Sequence, residues 1–160
     1  ISRRIALLGA LVSANPFYLY DLGDKYAEVG LGYDRAARIA PLGGLARRGV
    51  PVALHSDFAM APASPLFLAW TAITRETQSR KVFGPEECLT TDQAMKAITV
   101  DAAYILHLEE RLGSIESGKL ADFTVLDRNP YEVDAAELPK IKVWGTVFEG
   151  QTHPAEVAPK

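Results

Sequence analysis

The stretch PVALHSDFAM, residues 51–60, sets an imidazole, a hydroxyl and a carboxylate at His55, Ser56 and Asp57 directly behind a short apolar run. An ionised carboxylate can ligate a divalent cation or accept a proton, and a neutral imidazole can do either as well. Ser56 has no evident base beside it, which argues against a serine nucleophile. On the residues alone, a helix or turn cap is the simplest role for Asp57. His55 is open to three: a ligand, a contact to substrate or to a ligand, or a filler at the end of a strand.

Other side chains with chemistry are scattered. Asn15, just before Pro16, ends an apolar run and could hydrogen-bond a substrate or cap the next element. Arg35 and Arg75 carry planar forks suited to a substrate carboxylate or carbonyl, and equally to a neighbouring carboxylate. Phe17, Tyr18 and Tyr20 could line an apolar pocket or simply pack. His107, in YILHLEE, sits on helical sequence away from any strand end, and His153 lies in a polar tail. Cys88 has no partner for an internal disulfide, which fits a reducing compartment and a cytoplasmic location.

The elements that must position these residues follow from periodicity. ISRRIALLG, residues 1–9, reads as the end of an amphipathic helix stopped by Gly9, and ALVSAN, 10–15, as a short buried strand. The aromatic segment 17–34 reads as a loop. Residues 33–48 read as a helix interrupted at Pro41 and Gly43-Gly44, and VPVALH as a second buried strand. Continuous apolar runs without alternation mark parallel strands covered by helices, so the class is α/β. Asn15 and Asp57 then both fall at the carboxyl ends of parallel strands, where such folds keep their chemistry.

Beyond the site, Ser64 and Pro65 are expected to start a helix over 64–77, and 78–89 is expected to be a loop. A helix from Thr91 should break near Thr99. From residue 112 the pattern turns to β structure: DFTVL, a turn at Gly118, and KIKVWGTVFEG with strand alternation, followed by a flexible tail at 151–160.

The composition is that of a globular chain: 160 residues, 48% hydrophobic and 23% charged, with a net charge of −3. Its 17 basic residues are dispersed, which argues against nucleic acid as a partner. No apolar run approaches the roughly 20 residues that span a bilayer, so no membrane role is expected.

Three segments taken together carry a resemblance: GVPVALHSDFAMAPASPLFLAWTAITR, LTTDQAMKAITVDAAYILHLEERLGSIE, and LGSIESGKLADFTVLDRNPYEV followed by KVWGTVFEG. They resemble the C-terminal third of a metal-dependent hydrolase of the amidohydrolase superfamily, specifically amidohydrolase family 3. The first is similar to barrel strand eight with its Ser-Asp pair, the second to two short helices, the third to the return into a small β-sandwich. The resemblance implies an incomplete (β/α)8 barrel: its last βα units and trailing helices in 1–110, then part of the accessory β-sandwich in 111–150. The complete barrel takes about 250 residues, so the chain is expected to be a C-terminal fragment.

For function, the resemblance implies hydrolysis of a carbon–nitrogen bond in a small amide, formamide or cyclic amide by metal-activated water. Asp57 would be both metal ligand and proton acceptor, with His55, Asn15 and Arg35 as substrate contacts. The cofactor would be a divalent metal, zinc in the first instance, as one or two ions. Its other ligands, an early His-x-His pair, a bridging lysine or glutamate and two later histidines, would lie upstream of Ile1. The fragment alone is then expected to be inactive and to associate with itself through exposed strand edges. The alternatives are a non-catalytic binding or assembly module and a deaminase of the same superfamily.

Overall fold

The computed structural model describes residues 1–155. Helix α1 (Ser2–Leu7) ends near Gly9, whose φ of 62° needs no Cβ, and leads into strand β1 (Val12–Ala14). Strand β2 (Val52–Leu54) pairs with it in parallel, in the register Val12↔Val52, Ser13↔Ala53 and Ala14↔Leu54. A parallel pair requires a crossover, and the intervening chain supplies one made of helices. The outer edges of β1 and β2 have no strand partner among the described residues.

The crossover differs from expectation at its start. The aromatic segment forms helix α2 (Phe17–Lys25) and a π-helical turn at Tyr26–Gly30. Aromatic residues and glycine are mediocre helix formers, so tertiary contacts decide here. Leu19 and Gly23 are buried, and a Cβ on Gly23 would come within 3.0 Å of the Thr77 methyl. Phe17 and Tyr20 meet Phe67 with ring centroids 5.6 and 5.0 Å away, and Tyr20 meets Trp70 at 5.7 Å. These contacts fix α2 against helix α5 (Pro65–Thr74).

The interrupted helix is found as α3 (Tyr33–Ala36) and α4 (Leu42–Ala46). The glycine pair allows close approach as well as flexibility: a Cβ on Gly43 would lie 2.7 Å from the Glu86 carbonyl oxygen and 2.8 Å from the Glu87 Cα. The Glu87 carboxylate accepts the Gly44 amide hydrogen, and Arg47 donates to the Glu86 carbonyl at 2.6 Å. The 3-10 turn Pro85–Glu87 is thus clasped onto α4.

Helix α5 begins with Pro65 in its first turn as expected, but the Ser64 side chain makes no capping bond. Helix α6 (Thr91–Ala97) starts at a capping box in which Thr90 and Gln93 bond each other's backbone amides. The break before α7 (Val100–Ile105) falls at Thr99 as expected, yet the Thr99 hydroxyl donates back to the Met95 carbonyl at 2.8 Å instead of capping α7. Leu42, Leu45, Val50, Val52, Ala69, Ala72, Leu89 and Ala94 form one buried core among α4, β2, α5 and α6. Each fully buried leucine there contributes about 1.5–3 kcal/mol.

The last segment is an antiparallel sheet of β3 (Phe123–Leu126), β4 (Val143–Phe148) and β5 (Gln151–Pro154). Residues 151–154, expected in a flexible tail, instead pair with β4, from Gly145↔Pro154 to Phe148↔Gln151. Residues 156–160 of that tail lie outside the described residues. Gly118, at φ 96°, makes the expected turn. A 3-10 segment, Ala135–Lys140, carries Leu138 against Trp70 in a cluster with Ile141, tying this region to α5.

The close contact at Gly43 generates a prediction. Gly43→Ala must push the 85–87 turn off α4 and should cost about 1–3 kcal/mol, the range of overpacking. The urea midpoint of unfolding measures it, and a wild-type midpoint would mean that the turn yields freely.

Candidate functional site

At the carboxyl end of the sheet the two strand ends lie abreast, because the His55 amide continues the ladder and donates to the Ala14 carbonyl at 3.0 Å. Burial then alternates: His55 is exposed, Ser56 buried and Asp57 exposed. Asp57 adopts a left-handed φ of 53°, so the extended run stops there and the chain turns. The turn is closed by the Met60 amide, which donates to the Asp57 carbonyl at 2.8 Å. Its carboxylate and the His55 imidazole are thus left in solvent at one end of β2. Phe58, next in the turn, is 80% exposed.

Asn15 comes to this end as expected but is not free for a substrate. It is 8% exposed, its Oδ1 accepts the Phe17 amide hydrogen at 2.9 Å, and its Nδ2 lies 3.9 Å from the Met60 sulfur. The first bond closes an Asx turn that leads into α2, whose N-cap is Pro16. Phe17 and Tyr20 are taken up by contacts with Phe67, and Tyr18 is exposed.

The arginines are placed elsewhere. Helix α5 starts shortly after Asp57 and its 10 residues span about 15 Å, so its end is remote from the strand ends. Arg75 follows that end and is 0% exposed. Among the described residues it holds no carboxylate; it donates to four carbonyls, Phe83 at 2.6 Å, Ala40 at 2.9 Å, Ala37 at 3.0 Å and Ile39 at 2.8 Å. Burial pushes its pKa down from the ordinary guanidinium value, opposed by the neighbouring Cys88, Glu87 and Glu86. The carbonyls it binds begin one residue past α3. The exposed Arg35 on α3 therefore sits toward the far end of α5, and the structure does not bring it to His55 and Asp57.

The remaining titratable groups also lie apart. His107 follows α7 with φ 57° and its amide closes onto the Tyr104 carbonyl, a helix-end role. His153 is exposed on β5 opposite Thr146. Burial pushes the Cys88 thiol up, which disfavours the reactive thiolate. Asp101, on α7 beside Val52 at the amino end of β2, is pushed above the usual carboxylate range by burial, against the lowering effect of the Val52 amide. That residue was not singled out from the sequence, where nothing marks an aspartate that tertiary contacts will bury.

The chemistry of the donor set is suited to a divalent metal, an oxygen donor at Asp57 and a nitrogen donor at His55. Among the described residues, however, no group of three or more His, Cys, Asp or Glu side chains comes together to hold one. The residues present fit part of a metal site. Among the described residues no helix is long and apolar enough to cross a membrane.

Comparison with known proteins sets this arrangement in context. The family model described as "Amidohydrolase family" matches residues 2–153. An N-substituted formamide deformylase of Arthrobacter pascens is 32% identical over 148 residues, covering 92% of this chain and 27% of the relative. The solved structure of an uncharacterized metal-dependent hydrolase from Pyrococcus horikoshii superposes with a TM-score of 0.70 at 18% identity, over 84% of this chain and 28% of that one. An adenosine deaminase from Xanthomonas campestris, solved with bound zinc, gives 0.65 at 19% identity, over 94% and 33%. The chain thus spans about a quarter of the length of curated relatives it matches.

Two outcomes follow from the buried charges. Arg75→Met leaves the Phe83, Ala37 and Ile39 carbonyls without a donor, Ala40 keeping the Leu42 amide, and should cost at least about 3 kcal/mol in a denaturant titration, with Arg75→Lys restoring only part. Asp101 has a folded-state pKa above its unfolded one, so the folded state holds the extra proton and stability falls as pH rises through that interval. Asp101→Asn should therefore be more stable than the parent at pH 7, with the advantage fading below the ordinary carboxyl range. Parallel pH–stability curves would contradict the assignment.

Proposed function

The chain belongs to the amidohydrolase family, and from that premise we propose that it forms the carboxyl-terminal part of a metal-dependent hydrolase acting on carbon–nitrogen bonds of small amide-type substrates. The observation that carries this reading is the placement of Asp57 and His55, both exposed, at the carboxyl end of a parallel strand. In this reading β1 and β2, with their covering helices, are the last strands of a (β/α)8 barrel, spanning residues 1–110 with the trailing helices. Residues 111–150 are part of the accessory β-sandwich, which takes in β5 as well. The open edges of β1 and β2 receive further barrel strands, and in their absence a second copy of the chain.

Asp57 would hold a divalent cation, zinc in the first instance, with His55 beside it as a substrate contact and the remaining ligands supplied from outside residues 1–160. When bound, such a cation acts as a Lewis acid and lowers the pKa of water to about 7. What this chain contributes is a carboxylate that is exposed enough to exchange protons and tethered by the turn that follows it. Its carboxylate accepts a proton as water attacks the substrate carbonyl and returns it to the departing amine. The alignment with a formamide deformylase over 92% of the chain supports amide-type substrates.

Asp57→Asn, made in the intact enzyme that supplies the remaining ligands, tests the reading. It should leave the circular dichroism and melting temperature near the parent's, while metal content by elemental mass spectrometry and carbon–nitrogen turnover both fall, turnover by more than about 100-fold. Parent-like turnover in that variant would refute the assigned role and leave the chain as a binding or assembly module.

A further inference from the structure

The turn that carries Asp57 has few restraints. Among the described residues one side-chain hydrogen bond reaches residues 55–63 from elsewhere, that from Asn15 Nδ2 to the Met60 sulfur at 3.9 Å. The backbone adds the His55–Ala14 bond behind the turn and the Met60–Asp57 bond within it. Yet the turn contains two non-glycine residues at positive φ, Asp57 at 53° and Ala59 at 92°. Such conformations persist only where the surroundings hold them.

We propose that Asn15 is a positioning residue that clamps the Asp57 turn from the end of the neighbouring strand through Met60. This rests on the reading of Asp57 as a cation ligand. The Phe17 amide hydrogen, 2.9 Å from Asn15 Oδ1, decides which end of the amide faces which way. With Oδ1 committed to α2, the Nδ2 donor faces the opposite side and meets the sulfur of Met60. Met60 is also the residue whose amide closes the turn on the Asp57 carbonyl, so the clamp acts one hydrogen bond away from the backbone of Asp57. A thioether is a weak acceptor, and the contact does little for global stability. Its effect is directional: Asn15 is buried on the end of β1, and the polarizable sulfur takes up the donor without a second buried oxygen. The strand end that the sequence suggested as a substrate contact thus acts on the substrate side only through the Asp57 turn.

Two conservative variants separate the clamp from the Asx turn. Met60→Leu conserves volume and leaves Asn15 and its bond to Phe17 in place. Asn15→Asp keeps an acceptor for the Phe17 amide and removes the donor to sulfur. Hydrogen exchange of the protein without metal should quicken in both, at the Met60 amide and across residues 57–61, by about twofold to tenfold, the span of one net hydrogen bond. The amides of residues 17–20 should exchange as in the parent, whereas Asn15→Leu should speed both regions. In a Zn2+ titration of the metal-free intact enzyme, which supplies the remaining ligands, Met60→Leu should weaken binding by a similar factor. Unchanged exchange at 57–61 in both conservative variants would overturn the clamp. Faster exchange with unchanged Zn2+ affinity would uphold the clamp and overturn Asp57 as a ligand.

Discussion

A guanidinium removed from water must find acceptors for its fixed fork of N–H groups, and Arg75 finds four of them in backbone carbonyls and, among the described residues, none in a carboxylate. Three of those carbonyls, from Ala37, Ile39 and Ala40, belong to the irregular connection between α3 and α4; the fourth, Phe83, lies in the loop after α5. Those of Ala37, Ile39 and Phe83 accept no backbone hydrogen bond among the described residues, while that of Ala40 also accepts the Leu42 amide hydrogen at 2.8 Å, and burying a carbonyl without a donor is costly. One side chain thereby allows two irregular segments to be buried against each other. The Phe83 ring fills the space alongside Leu19, Ala36 and Ala37. A lysine could not replace this fork, since its point charge cannot address carbonyls on several sides in one plane.

The clasp also sets where chemistry can and cannot reside. Because it gathers α3, α4 and the 85–87 turn at the far end of α5, the amino end of the sheet is crowded with backbone and held by Glu87, Arg47 and the glycine pair. The carboxyl end has the opposite character: exposed side chains, a turn at positive φ and little cross-bracing. This is the division of labour expected of parallel α/β folds, where one end of the strands carries stability and the other carries function. The half-buried Asp101 at the amino end is then a feature of the stabilising end, even though its carboxyl is the more perturbed.

What could be read from the residues divides along the same line between local and tertiary causes. The strands at 12–14 and 52–54 were legible because a buried parallel strand writes itself as an unbroken apolar run. Helix α6 was legible because threonine and aspartate at its entry precede apolar residues at helical spacing, and the break fell near Thr99 as read, although its hydroxyl bonds back to Met95 and caps nothing. Helix α2 was not, since its aromatic residues have no strong helical preference and gain their order only from Phe67, Trp70 and Thr77, between 47 and 60 positions away from Phe17–Tyr20 in the chain. Strand β5 was hidden for a related reason: a polar segment with a proline joins a sheet edge only because β4 offers one, and Gly145 lets the His153 backbone approach. At the site, Asp57 and His55 could be located on a strand end from neighbouring sequence. The remoteness of Arg35 could not, because it depends on how far α5 carries the chain before Arg75 gathers α3.

An exposed carboxylate is an ordinary surface feature, and a left-handed backbone beneath one recurs at Glu149, φ 48°; what sets Asp57 apart is that its turn follows directly on a parallel strand. Its left-handed φ stops β2 from simply continuing, and the turn then returns Met60 to the neighbouring strand end instead of releasing the chain into solvent. A non-glycine residue at positive φ is held there at a cost, smaller for aspartate than for most residues. Here the cost is accepted twice within three residues, at Asp57 and Ala59, in a segment that contributes little to the core. Strain that stabilises nothing in the fold is explained when the side chain it presents needs a fixed direction. A ligand that must meet donors from other strands at one point has that need, because a metal's coordination geometry tolerates small errors only. On the proposed reading, the incomplete donor set among the described residues and the fixed direction of Asp57 would have one cause, a site in which ligands from several strand ends converge.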